Sequence, residues 1–387
     1  MTTPSTNGAS STLPHPTSVS VRKLKFTHDR WMDALGLPIH SGYYIEDLRQ
    51  LELGRWEERG CDAAFVQLEG QQGITETRVS EIPARGVLPP VRLAFDEVVY
   101  VVEGRGATTI WRSGGERKSF EWGENSMFLL PRHHFHQFSN THGSRPARLL
   151  HYNYFPLLLS ASPDPLAFIT TNRGDTAEPV SEFDLEAMYA EPSLKVTAEE
   201  DVSWKRRGSV WVGSFFPDMS AWDKLTETRN RGAGGRSVAM EFPGSEISCH
   251  MSMFPPRTYK KAHRHGPGRA IVIPAGEGYS VMWEEGKDKV VAPWKPGSLI
   301  TPPNKWFHQH FNVGQQPARY LAFHPPLQFD GHAEKVEDRA RDQIEYVAED
   351  ASVRQTFEAE LAKRGMTSVI PDEAYRSRDY EFTPVAV

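Results

Sequence analysis

Three histidines in the C-terminal half have the spacing of a metal-ligand set. His263 and His265 flank one residue, and His308 follows within Pro303-Asn304-Lys305-Trp306-Phe307-His308-Gln309-His310-Phe311-Asn312. On a β-strand, residues i and i+2 point to one face, so His263 and His265 present their imidazoles side by side. His308 belongs to a later strand, and closing a barrel would bring it opposite the pair. Three neutral imidazoles can hold a divalent cation, leave it its full charge and keep positions open. A His-x-His pair alone is more often two packed or exposed side chains. The third histidine, standing in a repeated frame, decides for a metal site.

The repeat is direct. Segment 91–140 lies over 263–312 without a gap, at the offset that separates His136 from His308. Twelve of these fifty positions are identical: Arg92/Arg264, Gly104/Gly276, Gly106/Gly278, Trp111/Trp283, Gly114/Gly286, Trp122/Trp294, Ser126/Ser298, Pro131/Pro303, Phe135/Phe307, His136/His308, Gln137/Gln309 and Asn140/Asn312. The same offset pairs Gly60 with Gly232, Pro83 with Pro255 and Arg85 with Arg257. The period is far too long for a solenoid, so each copy is expected to be a domain. In the first copy His263 and His265 become Val91 and Leu93. One copy therefore carries a ligand set and the other does not. His134 with His136 is the only seed of a second site there, and a packed histidine is the expected outcome.

Around the ligand set, Arg257, Tyr259, Lys261, His263 and His265 share one parity. A regular strand would turn all five inward, and a buried cationic row calls for an anionic guest. A bulge near Pro255-Pro256 would instead turn Arg257 outward, and Lys261 could snorkel to the rim. Trp306, His308 and His310 share a parity on the other wall. Trp306 could stack on a flat substrate, although core packing explains it equally well, and His310 could shuttle protons, although a hydrogen-bonded structural histidine is more common. Trp283, Met251 and Met253 are expected as apolar lining.

The elements that must position these groups are mostly strands. Val98–Val102 and Met127–Leu130 read as buried strands ended by Gly or Pro, and many such short runs indicate an all-β barrel or sandwich. The expected organisation is a disordered tail 1–20, a first barrel over 21–160 with a helical lead-in across 22–60, and a linker over 161–208. A second barrel follows over 209–328, with a helical tail over 329–387. Gly36 could end a helix in the lead-in, and in the tail Ser352 with Gln355 offers a capping box and Gly365 a C-cap. The chain has 387 residues, a net charge of −6 and two cysteines, Cys61 and Cys249. That length allows two or three domains. The charge disfavours nucleic acid and acidic membranes, and the cysteine count excludes a disulfide framework. No stretch approaches a membrane span or a signal peptide, so a cytoplasmic location is expected.

With these residues in view, the chain resembles the cupin superfamily as a bicupin, two tandem jelly-roll barrels with peripheral helices at both ends. The first cupin motif places Gly, His-x-His, Glu and Gly in order. Here His263, His265 and Gly276 match, with Arg257 at the first Gly and Arg269 at the Glu. In the second motif Gly297, Pro303, His308 and Asn312 match, and Lys305 replaces the inner Gly. The resemblance covers roughly 60–160 and 230–325. It implies a metal on His263, His265 and His308, with Arg269, His310 and Tyr259 as catalytic candidates and Arg257, Lys261 and Trp306 as substrate contacts. Gentisate, salicylate and 1-hydroxy-2-naphthoate ring-cleaving bicupins use three-histidine iron, although usually in the first barrel. The resemblance thus implies Fe(II), with Mn, Zn or Ni as alternatives, and a dioxygenase taking dioxygen and an anionic, hydroxylated aromatic or enolic substrate. The competing readings are a Mn- or Zn-dependent hydrolase, lyase or isomerase similar to ureidoglycine aminohydrolase, and a non-catalytic binding bicupin. Oxalate decarboxylase needs a Glu ligand, which Arg269 replaces. Bicupins often assemble further, so a homo-oligomer is expected.

Overall fold

The computed structural model describes residues 26–171, 194–197, 209–227, 231–329, 331, 341–378 and 380–382. The expected disordered tail 1–20, most of the linker and residues 332–340 of the expected helical tail lie outside these.

Within them the fold is two jelly-roll barrels in tandem, each made of a larger and a smaller sheet. The first barrel pairs an eight-stranded with a five-stranded sheet, and the second a nine-stranded with a six-stranded one. Nearly all neighbours are antiparallel. The repeated residues explain why the two halves fold alike. A Cβ at Gly106 would lie 2.4 Å from the Trp122 ring, and one at Gly278 would lie 2.6 Å from the Trp294 ring. Each glycine admits an indole edge into the barrel, and each indole N–H donates to a hydroxyl, Thr108 in one copy and Ser280 in the other. The Asn140 amide donates to the carbonyls of Ile82, Pro83 and Arg145, and the Asn312 amide to those of Phe254, Pro255 and Gln316. Arg85 and Arg257 both sit at φ 60°.

The two barrels exchange strands. Tyr44–Ile45, from the lead-in, pairs with Leu299–Ile300 of the second barrel, whereas Phe215–Phe216 pairs with Met127–Phe128 of the first. The exchange is sealed by Ser298, which donates to the Glu46 carbonyl, and by its repeat twin Ser126, which donates to that of Pro217. Between the barrels lies one apolar cluster built from both halves, including Tyr100, Leu129, Leu150, Met240, Met251 and Phe323. Each such side chain contributes roughly 1.5–3 kcal/mol on full burial, so the pair forms one packed unit. Met251 therefore lines the inter-barrel seam rather than the metal barrel, and Trp283 stacks on Phe307 with its ring partly exposed. Both depart from the expected apolar lining because their strands turn the opposite parity inward.

Helices are few. The lead-in is α-helical only over Thr27–Leu35, ended by Gly36 at φ 66°, and then turns to strands and two short 3-10 turns. In the tail the helix is Ala351–Ala362, capped by the Asp350 carboxylate, which accepts from the Ser352 N–H. The capping residue is thus two positions earlier than the Ser352/Gln355 box would require. Asp350 sits in extended backbone at the chain's entry to the helix, where its carboxylate meets the first free N–H groups. This helix buries Phe357 and Leu361 against Tyr259, Tyr279 and Phe311 on the outer face of the second barrel. No helix among the described residues is long and apolar enough to cross a membrane.

Candidate metal centre

His263 stands directly opposite His308 in the ladder between Ala262–His263 and Phe307–Asn312. His265 follows, and one potential ligand atom from each of the three lies within 4.8 Å of the others. The rings sit 4.2 Å (His263–His308), 4.6 Å (His265–His308) and 5.8 Å (His263–His265) apart between centroids. Nitrogens bound about 2.1 Å from one ion lie at most about 4.2 Å apart, so small side-chain rotations close the set. The remaining ring atoms favour that use. His265 Nδ1 donates to the Gly266 carbonyl at 2.7 Å, and His308 Nδ1 to the Trp306 carbonyl at 3.2 Å. These bonds fix tautomers that leave each Nε2 facing the centre. His308 Nε2 and His263 Nδ1 are buried with no hydrogen-bond partner among the described residues. An imidazole nitrogen buried in that way calls for an explanation, and a cation supplies one.

The electrostatics keep the imidazoles neutral, as ligands must be. Burial pushes His308 down to about 3, helped by the nearby guanidinium groups of Arg269 and Arg231, against the Trp306 carbonyl. Burial, then Arg231 and the other histidines, hold His263 well below its ordinary range.

The structure divides the remaining site residues. Arg269 is buried beside His308. His310 faces the same interior, its ring 5.6 Å from that of His308. Its Nδ1 lies 2.7 Å from the Ser280 hydroxyl, which accepts from Trp294. Trp306 packs at the mouth, 5.4 Å from Tyr43 of the exchanged lead-in.

Three expectations about the preceding strand are corrected. Tyr259 is opposite Phe311, whereas His263 is opposite His308. Four residues on one strand thus span three on its partner, a one-residue bulge that flips the side-chain parity. Tyr259 consequently faces away from the histidines. It stacks on Phe311 at 4.9 Å and donates to Glu349 beneath the C-terminal helix. Lys261 also leaves the interior, pairing with Glu345 over the Tyr346 ring. Arg257 occupies the turn after Pro255-Pro256, where its carbonyl accepts from Val369.

The bulge brings Lys260 inside in their place. Lys260 is 2 % exposed, donates to Ser252, and lies over the rings of Phe254 and Tyr320. Burial, with Arg231 adding to it and Tyr320 opposing, lowers its pKa. Arg231, which also acts electrostatically on His263, His308 and His310, completes a cationic surround. Neither residue was found from parity. The adjacent Lys260-Lys261 pair was the one signal, since a single-residue slip exchanges one for the other.

In the first barrel His136 persists, buried, at the place of His308. His134 donates from Nδ1 to the Arg132 carbonyl, and among the described residues no group of three potential ligands forms there.

No family model matches this chain, and no curated protein does. Among solved structures it is similar to the oxalate decarboxylase of Bacillus subtilis at pH 4.6, with a TM-score of 0.45 and 13% identity over 76% of this chain and 78% of that one. A mutant of the same enzyme gives 0.46 and 11% identity over 88% of each chain.

Proposed function

We propose that the chain is a mononuclear, metal-dependent dioxygenase whose centre is His263, His265 and His308, acting on a hydroxylated, carboxylated aromatic or enolic substrate. The observation that carries the reading is a buried three-imidazole set with no carboxylate in the group among the described residues and with cations around it. Fe(II) in such a set would supply a Lewis-acidic, redox-active centre with open positions for substrate oxygens and dioxygen.

The chain's own residues would do the rest. The Gly266 and Trp306 carbonyls hold the imidazoles of His265 and His308 in orientation. Arg269 accepts the substrate carboxylate in a fork geometry that lysine cannot reproduce. Arg231 and Lys260 offset further negative charge in a chamber where burial magnifies each interaction. His310 exchanges a proton at Nε2 while Ser280 holds Nδ1. Trp306 and Tyr43 close the mouth and exclude water.

The test is anaerobic purification with elemental analysis, followed by oxygen uptake with hydroxybenzoates. Fe(II)-dependent uptake supports the reading. Turnover under nitrogen with Mn or Zn would replace it with hydrolase, lyase or isomerase chemistry, and tight metal binding without turnover would leave a binding protein.

A further inference from the structure

The first barrel holds a cavity of about 20 Å³, room for little more than one water and so for a guest no larger than formate. Its charged, imidazole and hydroxyl groups are Arg59, Arg78, Ser80, His136 and His151, with no carboxylate among the lining groups. Three of these are committed. Arg78 binds Glu76 and, with both oxygens, Glu97, which lie behind it. His151 donates from Nδ1 to Glu97 and accepts at Nε2 from Ser80. The other two groups are not. His136 is 3% exposed, and its Nε2 has no hydrogen-bond partner among the described residues. Arg59 lies over the Trp56 ring at 5.2 Å and forms no ion pair among the described residues. It is half-buried at the cavity mouth, which gives a guest a way in.

We propose that this cavity is a second, metal-free ligand site that binds one small carboxylate, gripped by the Arg59 guanidinium and by an N–H at His136 Nε2. A carboxylate fits two converging donors, and a guanidinium offers it a planar fork. Burial, with Arg78 alongside, pushes Arg59 down to about 10 against the opposing pull of Glu97; an anion between Arg59 and His136 would relieve that penalty. The repeat adds a reason of its own, because Arg59 is the counterpart of Arg231 at the offset that relates His136 to His308. Both barrels thus place an arginine beside a histidine, one above a ligand set and one above an empty donor pair. The inference does not rest on the reaction assigned to the second barrel.

The test is calorimetric titration of the full chain with sodium formate, on the metal-loaded protein and on His263→Ala. One equivalent is expected to bind in both, which separates this site from the metal centre. Arg59→Gln should weaken binding at least about tenfold, the size expected for losing a charge-assisted hydrogen bond. Arg59→Lys, which keeps the charge on a half-exposed side chain, should weaken it less and covers the case in which the glutamine variant does not fold. Absence of binding, binding unchanged in the Arg59 variants, or loss of binding in His263→Ala would each overturn the proposal. Equal competition by chloride and phosphate would overturn the assignment to a carboxylate.

Discussion

The two barrels share a scaffold and differ in what fills it. Where the second barrel has Ser248, His250 and Arg269, the first has Glu76, Arg78 and Glu97. In the first barrel these three form a closed network: Arg78 bridges both carboxylates, His28 and His151 hydrogen-bond to them, and Asn153 donates to each. Burial opposes ionisation of Glu97, but Arg78 and His151 outweigh it and hold the carboxyl well below its usual range. In the second barrel Glu97's counterpart, Arg269, brings a cation to the ligand set, and Val91 and Leu93 have become His263 and His265. One interior balances most of its charge in an internal network, and the other gathers three imidazoles with cations around them. One duplicated scaffold therefore supports two differently furnished interiors.

The largest effect should come from breaking the closed network. Removing one partner of a buried ion pair leaves uncompensated charge and costs about 3–5 kcal/mol. Arg78→Met should lower stability by that order in urea unfolding. A loss of only about 0.5 kcal/mol, the ordinary range for a surface substitution, would mean that the network does not hold the first interior together.

Next comes the division between the metal ligands and their metal-free counterpart. His263→Ala should abolish bound metal in elemental analysis, and His136→Ala should leave the metal content unchanged. Loss of metal in both would end the one-centre reading. Within the second barrel, Arg269→Ala should raise KM for a carboxylated substrate by about tenfold or more, the scale of a charge-assisted hydrogen bond. An uncharged analogue should be affected far less, and a matching rise for both would remove Arg269 from its anchoring role.

Much of this contrast was legible in the sequence, and the exceptions have a physical cause. His263, His265 and His308 could be read because the His-x-His spacing and the repeat frame lie beyond the bulge, even though the strand itself ends at His263. The duplication was legible because glycines that admit tryptophan edges, and an asparagine that ties three carbonyls, tolerate no substitute. Parity failed at Tyr259, Lys260 and Lys261, where one inserted residue changes the face of every side chain on its far side. The Pro255-Pro256 pair suggests a bulge nearby, but only the adjacent Lys260-Lys261 pair hints at its effect, since Arg257-Thr258-Tyr259-Lys260-Lys261 alternates as well in either register. The exchanged strands were equally hidden. Tyr44–Ile45 looks like part of a lead-in, and only the fold shows that it completes the other barrel.

The smallest effect concerns the outer face onto which the bulge turns Tyr259. There Glu349 accepts hydrogen bonds from Tyr259 and from Gln309 beneath the helix Ala351–Ala362. Burial raises its pKa to about 7, with those two hydrogen bonds working against the rise. A carboxyl whose folded pKa exceeds its unfolded value binds its proton more tightly when folded, so its contribution to stability is full below the ordinary carboxylate range and is lost as pH rises through about 7. The attachment of the C-terminal helix should accordingly loosen between about pH 4.5 and about pH 7, seen as faster amide exchange in 351–362. Glu349→Gln removes the titrating group and should flatten this dependence while leaving metal content untouched. A pH profile that survives the substitution would place its origin in the barrel interior and erase the distinction between the two faces of this strand.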